Sequence, residues 1–216
     1  MQLEQAWPRA QARNSNSVMK AVTRFANAVE YCAVRILAWT VGISFVVRYL
    51  RNPNPAITRK LLIAFGAEVG PGTTLKRTLL LDNVCGDANS TGDFSHLKIG
   101  SNCYIGDCVF LDLADNIVIE DGAVVAGRAS FITHSECNRS RFLSRRFPRM
   151  CAPIVLKQGS WIGFGATILA GVTVGENTAI GAGALLLQDA EPYSVYVGSP
   201  ARKLRSLVEQ ALQRIR

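Results

Sequence analysis

The feature that most constrains this fold is a six-residue spacing between large aliphatic side chains. It runs without a break through Leu156, Ile162, Ile168, Val174, Ile180 and Leu186. A small residue follows each of the first five by four positions, at Ser160, Ala166, Val172, Thr178 and Ala184. A helix repeats about every 3.6 residues and a strand about every two, so neither alone gives this period. Short strands joined by tight turns do, which predicts a solenoid with the aliphatic residues stacked inside.

The same frame occurs earlier in the chain. It passes through Val69, Leu75, Leu81, Ile99, Ile105 and Leu111. Leu81 and Ile99 lie eighteen residues apart, which equals three hexapeptides, and the segment between them predicts a distorted side or a loop. After Leu111 the frame slips by two and resumes at Leu113, Ile119, Val125 and Phe131. Cys103 falls on a small-residue corner, which favours a packing role.

Composition narrows the function classes. The six cysteines of this 216-residue chain form no C-x-x-C pair, and there are two histidines, so we expect free thiols, a reducing cytoplasmic location and no metal. The net charge of +8 favours acidic partners such as phosphorylated cofactors or anionic lipid. Nucleic acid ranks last because no recognition motif accompanies the charge.

Three quoted stretches carry a family resemblance: "IGSNCYIGD", "FITHS" and "WIGFGATILAGVTVGENTAIGAGALLLQDAEPYSVYVGSPARKLR". They resemble the hexapeptide-repeat acyltransferases, in particular the bacterial sugar and exopolysaccharide O-acetyltransferases. The resemblance covers roughly residues 63–205. It implies an all-β solenoid, a left-handed parallel β-helix, usually a homotrimer with active sites between subunits, and acetyl-CoA as the acyl donor.

A second interruption of the six-residue frame, between Phe131 and Val155, begins near His134. Acyl transfer to a hydroxyl needs a base of near-neutral pKa, and histidine is the usual residue. The resemblance places the catalytic histidine at this point, so we expect His134 to be the general base. Glu136 could orient a substrate or the imidazole, or be a solvated loop carboxylate. His96 could line an acceptor pocket or be a partly exposed loop histidine.

The resemblance also implies the cofactor residues. A groove between coils is expected at Trp161, Phe164, Gly165, Ala182 and Gly183, with the cofactor phosphates at Arg202 and Arg205. Galactoside-type members have an acceptor-binding asparagine about thirty residues before the histidine. The matching place here falls near Gly106 and Asp107, which leaves Asp107 as the candidate acceptor contact. Arg139 begins a run of five arginines that either attracts an acidic sugar, a lipid-linked phosphate or the cofactor, or is a solvated face.

We expect three regions. Residues 1–60 lack the period and show helical spacing from Val18 to Val47, with "RNPNPAITRK" as a linker. This region is either an interfacial helix in peripheral contact with the inner face of the membrane through residues 18–50, or a helical hairpin packed on the coil. Residues 61–190 form the β-helix, with an extruded loop at about 134–154. Residues 191–216 form a tail and a short helix with one apolar face, comprising Leu204, Leu207, Val208, Ala211 and Ile215.

The resulting expectation is an acetyl-CoA-dependent O-acetyltransferase acting on a saccharide, a lipid-linked saccharide or a polysaccharide precursor. Two alternatives remain open, namely N-acetylation of an amino sugar and a catalytically silent β-helix scaffold. A zinc hydratase on the same coil would need three histidine ligands, and the chain has two histidines.

Overall fold

The computed structural model describes residues 7–137 and 140–208, and for residues 7–17 it describes the backbone alone. The chain begins with three helices, α1 (Trp7–Val41), α2 (Ile43–Tyr49) and α3 (Pro55–Ala64). A β-helix follows, built from three parallel sheets, and its last coil is closed by an antiparallel strand. None of the described helices is long and apolar enough to cross a bilayer.

Each coil contributes one short strand to each sheet. The first sheet holds β1 (Glu68–Val69), β4 (Leu97–Ile99), β7 (Ile117–Ile119), β12 (Ile154–Leu156) and β15 (Thr173–Val174). The second holds β2 (Thr74–Leu75), β5 (Tyr104–Ile105), β8 (Val124–Val125), β13 (Trp161–Ile162), β16 (Ala179–Ile180), β18 (Ser194–Val197) and the antiparallel β19 (Arg202–Ser206). The third holds β3 (Leu79–Asp82), β6 (Val109–Asp112), β9 (Ser130–Ile132), β14 (Thr167–Leu169) and β17 (Leu185–Leu186). The predicted parallel β-helix is confirmed.

The hexapeptide frame sets the register and the core. Ile162 pairs with Ile180, and Ile168 with Leu186, so residues one coil apart stack directly. The framed aliphatic residues from Leu156 to Leu186 are buried, and so are the five small residues between them. Gly163 shows why corners need glycine, since a Cβ there would lie 2.5 Å from the backbone nitrogen of Ala182 in the next coil.

Three coils are longer than eighteen residues: the second holds twenty, from Ile99 to Ile119, and the first and third each carry a loop. Val69 pairs with Ile99, thirty residues later, because the irregular segment adds a loop of twelve residues to the first coil. Leu81 accordingly pairs with Leu111. The loop predicted between Phe131 and Val155 also leaves the coil, and it contains β10 (His134–Ser135), α4 (Leu143–Arg146) and β11 (Met150–Cys151), with β10 and β11 antiparallel.

The N-terminal helices form a hairpin. Gly42, with a φ of +94°, ends α1 and starts α2, a turn conformation that disfavours residues with a Cβ. The Tyr49 hydroxyl then donates to Glu30 Oε1 at 2.7 Å, so α2 runs back along α1. Both Val34 of α1 and Val46 of α2 are buried in the core that continues into the β-helix.

Two local expectations were wrong. The expected linker contains α3, because Asn54 caps the helix and Pro55 occupies its first turn, where no backbone donor is needed. Leu204 lies in strand β19 and not in a helix, because that segment pairs with β18. Ala211 and Ile215 of the expected C-terminal helix lie outside the described residues.

Candidate active site

His134 stands where the third sheet opens into the second loop. Strand β9 ends at Ile132, and the buried Thr133 donates its hydroxyl hydrogen to the carbonyl oxygen of Asp112 at 2.8 Å. This anchors the chain on the coil below just before it departs. The His134 side chain is 22 % exposed, so it is held in place while its ring still reaches the surface.

The His134 ring is oriented by Asp112. Its Nδ1 lies 2.6 Å from Asp112 Oδ2, and that carboxylate is almost fully buried at the end of β6. Burial alone raises the pKa of Asp112, but hydrogen bonds from Asn83 and His134 outweigh it and lower the pKa below its usual value. The ionised carboxylate only accepts hydrogen bonds, so Nδ1 carries the proton. The other nitrogen, Nε2, is then the basic one.

Asp112 is held by five donors. The backbone nitrogens of Thr133 and His134 lie 2.8 and 3.1 Å from Oδ2, which also receives His134 Nδ1. Asn83 Nδ2 and the backbone nitrogen of Ala114 lie 2.7 and 3.2 Å from Oδ1. Asn83 Nδ2 also lies 3.4 Å from His134 Nδ1. Both nitrogens carry hydrogens in this arrangement, so that approach is a contact and not a hydrogen bond.

Arg149 forms ion pairs with both loops that leave the β-helix, close to the His134–Asp112 pair. Its guanidinium lies 2.6 Å from Asp87 in the first loop and 2.7 Å from Glu136 in the second. The hydrogen bond that Arg149 donates to Glu136 raises the pKa of Arg149 above its usual value. Glu136 is thus engaged by Arg149 near His134, whereas Arg145 and Arg146 of the same arginine run are exposed on α4.

An apolar surface follows the outward face of the second sheet. Tyr104, Val124 and Trp161 come from successive coils in register, and all three are exposed. At the adjoining corner Phe164 is also exposed, and the Arg128 guanidinium lies 5.6 Å from its ring centroid. Gly165 and Gly183 both have φ of +66° and open space where a Cβ would be. These groups form one exposed surface with two aromatic rings, and Ala182 is exposed at its edge, where the sequence predicts the cofactor groove.

The predicted groove would continue towards a basic end. Arg205 pairs with Val195 and Arg202 with Val197 in the β18–β19 ladder, beyond the coil that contains Ala182 and Gly183. Both arginines are exposed, and Arg202 donates to the carbonyl oxygen of Ala201 at 2.9 Å. Successive coils are about 4.8 Å apart along the β-helix axis. The expected cofactor residues therefore follow one another along the surface, parallel to that axis and in chain order.

The structure does not bring all the expected site residues together within one chain. Asp107 lies in the turn before β6, where its Oδ1 accepts from the backbone nitrogen of Arg77 at 2.8 Å. Asp112 ends the same strand, and five extended residues span about 16 Å. Asp107 therefore joins the groove corner with Phe164, and not His134. Arg139 lies outside the described residues.

Two residues of this site were not identified from the sequence. Asp112 sits within the two-residue frame slip after Leu111, which was visible as an interruption but was not read as the source of a functional side chain. Asn83 belongs to the irregular segment and lies fifty-one residues before His134. The sequence has no asparagine at the expected place near Gly106, and the asparagine beside His134 is Asn83. His96 instead contacts the Leu113 carbonyl oxygen at 2.9 Å through Nδ1.

The described part of the chain contains no cluster of three or more histidine, cysteine or carboxylate side chains able to hold a metal ion. Cys103 is buried, as its corner position indicated, and burial raises the pKa of its thiol.

Comparison with known proteins identifies the family and the fold. Residues 153–188 match the family model of the bacterial transferase hexapeptide, six repeats. A Schizosaccharomyces pombe protein assigned as an acetyltransferase is 32% identical over 154 residues, 64% of this chain and 72% of that protein. A Vibrio cholerae hexapeptide-repeat acetyltransferase solved with acetyl coenzyme A is 23% identical, covers 81% of this chain and 87% of its own, and superposes with a TM-score of 0.63. A galactoside acetyltransferase solved with coenzyme A gives a TM-score of 0.65 at 20% identity, over 78% of this chain and 80% of its own.

Proposed function

Because this chain belongs to the hexapeptide-repeat acetyltransferase family, we propose that it transfers an acetyl group from acetyl-CoA to a hydroxyl of a saccharide or polysaccharide precursor. The observation that carries this proposal is the His134–Asp112 pair, 2.6 Å apart, at the opening of the extruded loop. A histidine whose Nδ1 proton is held by a buried carboxylate presents a basic Nε2 to the surface. That is the chemistry needed to take a proton from a hydroxyl.

His134 acts as general base in a direct transfer. Its Nε2 takes the acceptor hydroxyl proton as the oxygen becomes nucleophilic, and Asp112 stabilises the resulting imidazolium. Bound acetyl-CoA would supply the thioester carbonyl carbon to which that oxygen bonds, and its carbon–sulfur bond would break to release the thiolate. His134 can then return the proton to the departing sulfur. No covalent link between acetyl group and protein is required.

The groove fits a long acyl donor. Trp161 and Phe164 offer exposed aromatic surface, and open space at Gly165 and Gly183 lets a thin chain approach the backbone. Ala182 extends this small-residue edge. Arg202 and Arg205 would meet the phosphates, since guanidinium groups pair well with phosphate oxygens. All seven residues would thus contact the donor.

The separation of His134 from the groove supports a homotrimer. The two lie at opposite ends of the third sheet's strands in one chain, about 16 Å apart for a strand such as that from Asp107 to Asp112. The apolar face formed by Tyr104, Val124 and Trp161 would be covered in a trimer. His134 of one subunit would then face the groove of the next, with Asp107 at that shared boundary.

The acceptor would lie against the loops around His134. Glu136 and the adjoining Arg139 are our candidates for contacts to its hydroxyl or acidic groups. A lipid-linked saccharide would suit an enzyme in peripheral contact with the membrane through residues 18–50, on its cytoplasmic side.

The test is thiol release from acetyl-CoA with a panel of sugars, amino sugars and lipid-linked sugars. We expect sugar-dependent release by the wild-type chain and at least a hundredfold less by His134→Ala, about the share that a general base supplies. Release with amino sugars alone would support N-acetylation instead. Equal release by the variant would exclude His134 as the base, and no acceptor-dependent release with any sugar would support the silent scaffold.

A further inference from the structure

The N-terminal helix presents an apolar stripe that the other described residues leave uncovered. Its members recur at spacings of three and four residues and are all exposed: Val18, Val22, Phe25, Val29, Cys32, Ile36 and Trp39. Phe25 is 73% and Trp39 88% exposed. At about 1.5 Å per residue, the stripe extends over about 32 Å. Apolar patches of this size mark interaction sites.

The hairpin is packed through the opposite side of α1. Val34 and Ala38 are buried, and Asn27 and Glu30 contact Asn54 at 2.9 and 2.6 Å. Successive residues of an α-helix are rotated by about 100°, so Ile36 of the stripe is rotated by about 200° from the buried Val34. The packed side and the stripe therefore face away from each other. The stripe is therefore available while the hairpin remains attached to the β-helix.

The charges beside the stripe are of one sign. Arg24 and Arg35 are exposed on its flank, between the stripe and the packed side. Glu30 is the only carboxylate among the described side chains of α1, and the Tyr49 hydroxyl and the Asn54 amide engage it. Two copies of this helix packed together would bring like charges close without acidic partners. An anionic surface complements this arrangement.

A groove beside the stripe repeats the pattern of an apolar floor and a cationic rim. It lies between α1 and α3 with a volume of about 680 Å³. Tyr31, Cys32, Ile57 and Ile63 line it, and Arg24 and Lys60 stand at its sides. An acyl chain suits the floor and a lipid phosphate the two cations.

We propose that the α1 stripe, with Arg24 and Arg35, docks this protein in the interface of an anionic lipid membrane. The helix lies in the plane of the surface with Phe25 and Trp39 inserted among the upper acyl chains. The stripe is long enough to anchor the protein. The opposite side of the same helix is too polar for the helix to span the bilayer. This placement does not depend on which acceptor the enzyme uses.

Flotation of the full-length protein with phospholipid vesicles tests the proposal. We expect binding to vesicles of phosphatidylcholine mixed with phosphatidylglycerol, weaker binding to phosphatidylcholine alone, and loss of binding as salt is raised. The double variant Phe25→Ser, Trp39→Ser should lower the partition coefficient by about tenfold or more. The double variant Arg24→Gln, Arg35→Gln should lose the preference for phosphatidylglycerol.

Controls separate docking from misfolding and from self-association. Phe142→Ser, an exposed aromatic in the second loop, should bind vesicles as the wild type does. The stripe variants should keep the helical circular dichroism signal and the oligomeric mass by light scattering. Absence of vesicle binding by the wild type, or unchanged binding by the stripe variants, overturns the proposal. A drop in oligomeric mass in those variants, without vesicle binding, would show that a second copy covers the stripe.

Discussion

The substitution Asp112→Asn tests the orientation of His134 most directly. An amide has one oxygen, and at the Oδ2 position it would keep the three donors from Thr133 and His134. Its NH2 group would then face Asn83 and the backbone nitrogen of Ala114. Asn83 can rotate its amide to present oxygen, whereas the Ala114 donor cannot adapt. One buried donor without an acceptor lowers the free energy of unfolding by about 1–3 kcal/mol.

The expected loss of activity is larger than the loss of stability. The imidazolium that forms when His134 takes a proton would no longer face a negative charge. We expect kcat to fall by about 10²–10⁴-fold, equivalent to about 3–5 kcal/mol of barrier. Asp112 is buried and cannot touch a substrate, so the KM for acetyl-CoA and the KM for the acceptor should both change little. Since domains are commonly stable by about 5–15 kcal/mol, the variant remains folded in the assay.

The assay is acceptor-dependent thiol release, with urea unfolding measured in parallel. Asp82→Asn is the matched control, because Asp82 pairs with Asp112 in the strand register one coil below but is exposed. The control should retain nearly all activity. A folded Asp112→Asn variant with kcat close to that of the wild type would refute the assignment of Asp112 as the group that orients and stabilises His134.

Three further predictions concern other parts of the structure. Arg149→Met should raise the acceptor KM by about tenfold with the donor KM unchanged, by steady-state kinetics, while exposed Arg145→Met has no effect. Burial raises the pKa of Tyr49 to about 12, so its contribution to stability is complete below pH 10 and is lost as pH rises towards 12. Unfolding measured at alkaline pH should show this loss, and Tyr49→Phe should remove the pH dependence. Thiol labelling should modify exposed Cys32 at once and buried Cys103 only on unfolding.

Acid unfolding should depend on Asp112. Its pKa is lowered in the folded state, so its contribution to stability is present above the ordinary value near 3.8 and is lost as pH falls through the folded value. The variant Asp112→Asn should therefore lose stability less steeply with acid than the wild type, in urea unfolding followed by circular dichroism. Equal acid dependence in both proteins would contradict the lowered pKa.

The β-helix was predictable because its interior accepts one kind of residue at one spacing. Each inward position stacks on its equivalent in the next coil, so every hexapeptide repeats the same constraint. The positions of both excursions, and His134 at the start of one, were visible as breaks in that constraint. Asp112 and Asn83 were not, because their partnership depends on how many residues each loop adds. The first coil holds thirty residues, and that number decides that Asn83 lies beside His134.

The N-terminal helix shows a different limit of sequence patterns. Two of its faces suit burial, one with Phe25, Ile36 and Trp39 and the other with Val34 and Ala38. Helical spacing detects both but does not tell which of them packs. The structure selects the second face because Gly42 alone joins α1 to α2, so the two helices must lie close together. Close helices need small side chains at their contact, which Ala38 provides and Trp39 does not. The bulkier face is thereby left outside, and the same short turn that builds the hairpin also creates the surface proposed to meet the membrane.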